Sequence, residues 1–82
     1  MKDYIYNSEI GTFEIRQTDK YRYELWIKNE LLGKYESAEL VAADVANFDT
    51  DYVEWDKLKN ELENVPAKLS DWDAVKEEKP HI

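Results

Sequence analysis

The stretch YRYELWIKNELLGKYESAELVAADVANF, residues 21–48, changes from a two-residue period of apolar side chains to a helical period. Before Asn29, every second residue is apolar, as at Leu25 and Ile27, which is typical of a strand with one buried face. After Ser37, apolar residues recur at helical spacing, which favours an amphipathic helix with Ser37 as its N-cap. The stretch therefore predicts a sheet that is packed by one helix.

Shorter runs beside this stretch extend the predicted sheet. Residues 13–15 alternate apolar and polar side chains, so we expect them to form a hairpin with the strand over residues 21–27. Asn29 tolerates a positive φ and can open a tight turn into a further strand over residues 31–35. We expect residues 4–6 to add an edge strand. The fold class is therefore predicted to be α+β, with a three- or four-stranded antiparallel β-meander packed by the amphipathic helix.

The chain after this helix is predicted to contain a short second helix and a wrapped C-terminal segment. The first helix should end near Phe48, because turn-forming residues follow it. A second short helix is expected over residues 52–62, with Val53 and Leu58 facing inward and either Trp55 or Leu62 beside them. Pro66 ends it, since proline cannot continue a helix.

Length and composition predict a single domain. An 82-residue chain can build one small core, so residues 1–75 are expected to form the domain and residues 76–82 a flexible tail. The chain has no cysteine, which excludes the disulfide-rich secreted scaffolds. It also lacks a long apolar run and an apolar leader, so we expect a cytoplasmic protein that does not enter a membrane.

The charge is unevenly distributed along the chain. Residues 1–36 carry six Lys or Arg and seven Asp or Glu, whereas residues 37–82 carry five and twelve, for a net charge of −8. Such a surface repels phosphates, so direct nucleic-acid binding is not expected. The same acidity suits an inhibitor that mimics nucleic acid, of phage or defence-related kind, although acidity also serves solubility alone. Mimicry is therefore an alternative function.

Catalytic and metal-binding chemistry finds little support in the sequence. The acidic residues within 49–56 suggest calcium, but Val53, Glu54 and Asn60 occupy EF-hand positions that need an oxygen ligand, a glycine and a glutamate. The single histidine, His81, stands next to the C-terminal residue and is a poor general base there. Two glycines cannot form a phosphate-binding loop. We therefore predict no enzyme activity, no catalytic residue, no cofactor and no metal.

A second apolar surface is expected on the other face of the sheet. The alternation places Trp26 away from the side chains that face the helix. A turn centred on residues 29–30 would pair Trp26 with Gly33, so that the indole covers the glycine. The same register would bring Leu31 and Tyr35 to this face.

Two outcomes are open for this second surface. The outcome we favour is that the C-terminal segment with Pro66, Leu69 and Trp72 folds back over Trp26 and forms a second small core. Alternatively, Trp26, Leu31 and Tyr35 stay exposed and bind another protein or a second copy of the chain, since Trp and Tyr are frequent interface anchors. We carry the second outcome forward as the predicted protein-binding site.

Three short motifs follow one another along the chain: a Leu-Gly-x-Tyr step into a helix, a Trp-Asp pair and a closing Pro, Leu and Trp, formed by Leu32, Gly33, Tyr35, Trp55, Asp56, Pro66, Leu69 and Trp72. With them, residues 11–72 resemble a group of short uncharacterised bacterial proteins, in which a glycine often stands where Asp51 stands here. The resemblance implies a bacterial or phage-like origin and a compact domain with Trp55 and Trp72 packed inside. It implies no activity. The function we predict is a small non-enzymatic protein-binding or accessory module.

Overall fold

The computed structural model of the chain describes residues 3–62 and 65–75. Its strands and helices are β1 (Asp3–Ser8), β2 (Gly11–Asp19), β3 (Arg22–Ile27), β4 (Glu30–Tyr35), α1 (Ala38–Ala46), α2 (Val53–Asp56), a short 3-10 turn (Leu69–Asp71) and β5 (Asp73–Val75). The strands form one antiparallel sheet in the order β4-β3-β2-β1-β5. None of the helices in these two ranges is long and apolar enough to cross a bilayer.

The predicted α+β class with an antiparallel sheet is confirmed, but the predicted number of strands is wrong. The sheet has five strands, because β5 returns from the C-terminal segment and pairs along β1. The strand over residues 4–6, expected at an edge, therefore lies inside the sheet, and the edges are β4 and β5. The predicted tail over residues 76–82 lies outside the described residues.

The hydrophobic core lies between α1, α2 and one face of the sheet. The alternation in β2 and β3 directs every second side chain to this face, and α1 presents its apolar stripe to them. The fully or nearly fully buried apolar residues are Phe13, Ile15, Leu25, Ile27, Ala38, Val41, Ala42, Val45, Trp55 and Trp72.

The predicted start of α1 is confirmed. Ser37 has extended backbone geometry, and its Oγ accepts a hydrogen bond from the Leu40 N–H at 3.2 Å, as an N-cap does. Glu39 places a negative charge in the first turn, where the helix dipole favours it. The helix ends at Ala46, two residues before the expected end at Phe48, whose φ of 56° is not helical.

The second helix is shorter than predicted, and of its predicted inward-facing residues Leu58 packs against the core whereas Val53 does not. The α2 helix spans Val53–Asp56, and turns follow it where the prediction continued the helix to residue 62. Val53 was expected to face inward but is 74% exposed, whereas Trp55 is fully buried. With only one helical turn, the large indole decides which side of this segment faces the core.

The hairpin between β3 and β4 differs from the predicted register. Its central residues are Lys28 and Asn29, both with positive φ (48° and 64°), as in a type I′ turn. This turn lies one residue earlier than the expected turn. A bulge at Leu32 then shifts the register again, so that Gly33 lies opposite Leu25 and not opposite Trp26. The predicted pairing of Trp26 with Gly33 is therefore wrong.

The backbone geometry at Lys28 and Asn29 predicts how substitutions in this turn change the free energy of unfolding. Lysine is disfavoured at positive φ, whereas Asn-Gly is the preferred pair in a type I′ turn. We expect Lys28→Asn combined with Asn29→Gly to raise the free energy of unfolding by about 1 kcal/mol, as measured by urea denaturation. Lys20→Asn makes the same side-chain change in the neighbouring hairpin and should have little effect. An unchanged or lower urea midpoint for the double variant would contradict this account of the turn.

Candidate functional site

Two of the three residues predicted to bind a partner lie together on the sheet face that α1 leaves uncovered. Trp26 on β3 and Leu31 on β4 are directly paired across the two strands. Leu31 is 39% exposed, and Trp26 is half-buried. We call these two residues the outer patch. Because β4 is an edge strand, the outer patch lies beside a row of backbone groups that no strand of the described sheet covers.

The indole of Trp26 is held in place by charged neighbours. The Arg16 guanidinium lies over the ring, with Cζ 4.6 Å from the ring centroid, and Arg16 also pairs with the Glu14 carboxylate at 2.8 Å. The indole N–H donates to Glu24 Oε1 at 3.0 Å. Sequence reasoning did not single out Arg16, although the strand alternation already placed it on the same face as Trp26. The indole therefore has a fixed orientation that a partner can recognise without reordering it.

Tyr35, the third predicted residue, lies on the opposite face of the sheet. It pairs with Tyr23 on the core side, and its hydroxyl donates to Asp44 Oδ2 of α1 at 2.9 Å. Its ring also covers Gly33, where an added Cβ would lie 3.1 Å from Tyr35 Cε1. The glycine is thus covered by an aromatic ring, as expected, but by Tyr35 of the same strand and not by Trp26. Tyr35 consequently ties β4 to α1.

Burial, together with the hydrogen bond to Asp44, raises the pKa of the Tyr35 hydroxyl above its ordinary value of 10.0. The folded protein therefore holds this proton more tightly than the unfolded chain, and the resulting stability is complete below pH 10. As the pH rises above 10, the unfolded chain ionises first, so the free energy of unfolding should fall.

We expect Tyr35→Phe to weaken this alkaline loss of stability, as followed by urea denaturation at a series of pH values. The variant should also lose about 1 kcal/mol at neutral pH, because Asp44 loses its donor. Tyr21→Phe removes the hydroxyl of a ring that is 69% exposed and serves as the control. Identical alkaline slopes for wild type and Tyr35→Phe would contradict the assignment.

The C-terminal segment does not cover Trp26, which corrects the first of the two sequence-based outcomes. Trp72 is 5% exposed and belongs to the core on the opposite face, where its ring centroid lies 5.6 Å from that of Tyr6. Leu69 packs against the same core. The segment instead closes the core beside α1, and its next residues form β5.

An acidic layer covers the helical side of the molecule. Residues 35–56 contain no Lys or Arg and seven carboxylates, those of Glu36, Glu39, Asp44, Asp49, Asp51, Glu54 and Asp56. Five of the seven side chains are exposed, and Asp44 and Asp56 are half-buried. The ion pair between Arg16 and Glu14, in the part of the chain that the structure describes, uses none of these seven carboxylates. The segment itself carries no cation, although Lys59 lines a cavity together with Asp49 and Lys68 lines another together with Glu39.

One carboxylate of this layer has a structural role. Asp56 accepts three hydrogen bonds from Thr50: Oδ1 and Oδ2 both accept from the backbone N–H, at 3.0 and 3.1 Å, and Oδ1 accepts from the hydroxyl at 2.8 Å. Thr50 is 2% exposed. Asp51, which stands where the resembling proteins often have glycine, has a φ of 65° in the intervening turn. Within residues 3–62 and 65–75, no group of three His, Asp or Glu could hold a metal ion.

Comparisons with known proteins leave the resemblance to short bacterial proteins as a prediction. No protein-family model matches the chain, and no curated protein or solved structure is significantly similar to it.

Proposed function

We propose that the protein is a small non-enzymatic protein-binding module and that the outer patch, Trp26 and Leu31, is its contact surface. The observation that supports this proposal is the direct pairing of the two side chains on the sheet face opposite α1, next to an edge of β4 that no described strand covers. An aromatic anchor with a fixed orientation beside an aliphatic side chain is a frequent centre of protein interfaces. Tyr35 is left out of the proposed surface, because its ring lies on the other face and its hydroxyl bonds to Asp44. A bacterial origin and a cytoplasmic location remain predictions from the sequence.

The proposal is tested by capturing partners from a cell extract at about 0.5 M salt, where electrostatic contacts between exposed groups are screened. We expect wild type to retain a specific protein, or a second copy of itself, that Leu31→Lys loses. Val53→Lys introduces the same charge at another exposed apolar residue and should behave like wild type. If wild type and both variants retain the same proteins, the outer patch is not the contact surface.

The acidic layer supports a second candidate, an inhibitor that mimics nucleic acid. Residues 35–56 contain seven carboxylates and no Lys or Arg, and such an acidic segment suits the basic groove of a nucleic-acid-binding protein. Binding of this kind should weaken steeply as salt rises from about 0.05 M to about 0.5 M. It should also be insensitive to Leu31→Lys. These two responses separate mimicry from binding through the outer patch.

A further inference from the structure

The free edge of β4 has an unusual order of side-chain directions. In a regular strand, core-facing and outward-facing residues alternate, but the bulge at Leu32 interrupts this alternation. Glu30, Leu32, Gly33 and Tyr35 lie on the core side, because they pair with core-side residues of β3 or pack against the core. Leu31 and Lys34 lie on the outer side, opposite Trp26 and Glu24 respectively. The order along β4 is thus core, outer, core, core, outer, core, which reads the same in both directions.

This palindromic order limits which strand can pair along the edge. A regular strand placed beside β4 would match its faces on one side of the bulge and mismatch them on the other. An antiparallel copy of β4 matches at every position, provided that the two-fold axis passes between Leu32 and Gly33. Leu31 then faces Lys34 of the second copy, and Glu30 faces its Tyr35. A bulge that protects the edge against ordinary strands therefore still permits pairing with itself.

The backbone hydrogen bonds of β4 agree with this pairing. In a two-residue hairpin, the residues that flank the turn, here Ile27 and Glu30, bond to each other, and such bonded pairs alternate along an antiparallel ladder. The pairs Trp26–Leu31 and Glu24–Lys34 are therefore the non-bonded pairs of the β3–β4 ladder. Leu31 and Lys34 consequently direct their N–H and C=O groups away from β3, to the open edge. In the self-pairing described above, these two residues face each other, so each pair can exchange two hydrogen bonds.

We propose that the protein forms a two-fold symmetric dimer in which β4 pairs antiparallel with β4 of a second copy. The inference rests on the proposed function, since it names a second copy of the chain as the occupant of the outer patch. The two sheets would join into one continuous sheet of ten strands, twice the five of one copy. The aliphatic stem of the second copy's Lys34 would cover Leu31, beside Trp26.

Charge predicts how salt affects this dimer. Each copy carries a net charge of −8, so the two copies repel each other at long range. Added salt screens this repulsion, and the dimer should therefore strengthen as salt rises from about 0.05 M to about 0.5 M. This response has the opposite sign to that expected for nucleic-acid mimicry.

A disulfide tests the register directly, because the chain has no cysteine of its own. Directly bonded antiparallel residues have Cα atoms about 5.5 Å apart, which a disulfide can span. Leu31→Cys combined with Lys34→Cys should therefore form a covalent dimer under mild oxidation, as seen by non-reducing electrophoresis. Within one strand the same two positions lie about 10 Å apart, too far for an internal bridge. In each single cysteine variant the two cysteines of a dimer lie at about this distance, so these variants should form no covalent dimer.

Light scattering on the unmodified protein at low and high concentration completes the test. A dimeric mass together with cross-linking of the double variant alone supports the inference. A monomeric mass at high concentration and high salt overturns it, as does a double variant that cross-links no better than the single variants.

A pair of charge variants separates this inference from the proposed function. Leu31→Glu faces the second copy's Lys34 and should preserve the dimer, whereas Leu31→Lys should dissociate it. If the protein is monomeric but captures another protein that Leu31→Lys loses, the dimer is wrong and the proposed function stands. If it is monomeric and captures nothing through the outer patch, both are wrong.

Discussion

Trp55→Ala is expected to lower the free energy of unfolding by about 3–5 kcal/mol, the cost usually measured for removing a large buried aromatic ring. Trp55 is fully buried, and its ring stacks on Phe48 at 4.8 Å and meets Phe13 edge-on at 5.0 Å between ring centroids. Its indole N–H donates to the Val45 carbonyl oxygen at 3.0 Å, near the C-terminal end of α1. The substitution therefore removes a central part of the core together with a hydrogen bond that joins two helices.

The expected loss is large compared with the whole stability of the domain, which is about 4–12 kcal/mol for a chain of this length. Urea denaturation followed by far-ultraviolet circular dichroism measures it. Trp26→Ala is the matched control, since it removes the same side chain from the half-buried outer patch and should cost about 1 kcal/mol. Trp55→Phe keeps one aromatic ring but removes the N–H donor and part of the indole, so it should cost less than Trp55→Ala. A loss for Trp55→Ala no larger than that for Trp26→Ala would contradict the central position of Trp55.

Asp56→Ala is expected to destabilise the protein by about 2–4 kcal/mol, although Asp56 is one of many acidic residues. Its carboxylate is the acceptor for both the backbone N–H and the hydroxyl of buried Thr50. Without Asp56, two buried donors lose their acceptor in the turn that connects α1 to α2. An unsatisfied buried donor costs more than an ordinary hydrogen bond contributes.

Two variants make the test of Asp56 specific, again by urea denaturation. Asp56→Asn keeps one acceptor oxygen and should cost about 1 kcal/mol. Asp49→Ala removes an exposed carboxylate from the same acidic layer and should change the stability by less than about 0.5 kcal/mol. If Asp49→Ala and Asp56→Ala have equal effects, the stabilisation comes from overall charge and not from the contact with Thr50.

The main parts of the fold could be predicted from local patterns. The two-residue period of β3 placed Leu25 and Ile27 in the core, and Ser37 marked the start of α1. These signals are local, because a strand or an amphipathic helix shows which side is buried in its own sequence. The resemblance also implied that Trp55 and Trp72 pack inside, and both are buried.

The fifth strand could not be predicted from its own residues. The three residues Asp73–Val75 are all exposed and show no alternation of buried and exposed side chains. They form a strand because β1 offers a free edge with which their backbone can pair. Such a strand depends on residues about 70 positions away in the chain, which a local pattern does not contain.

The candidate site was predicted in part. Trp26 and Leu31 share a face, as expected, and the structure brings them into direct opposition. Tyr35 was assigned to the wrong face because of the bulge at Leu32, which adds one residue to β4 and so exchanges the two faces beyond it. The earlier turn shifts the pairing by two residues and by itself leaves Tyr35 on the outer side.

Local patterns of residues specify several elements of this protein: its alternating strands, its capped helix and its acidic helical half. The tertiary structure alone decided how these elements pair: the bulge in β4, the return of β5 to β1, the contact of Thr50 with Asp56 and the covering of Trp26 by Arg16. The reason is physical. Periodicity reports the burial of a segment through its own residues, whereas register and hydrogen-bond partners depend on which distant groups remain unsatisfied when the chain packs.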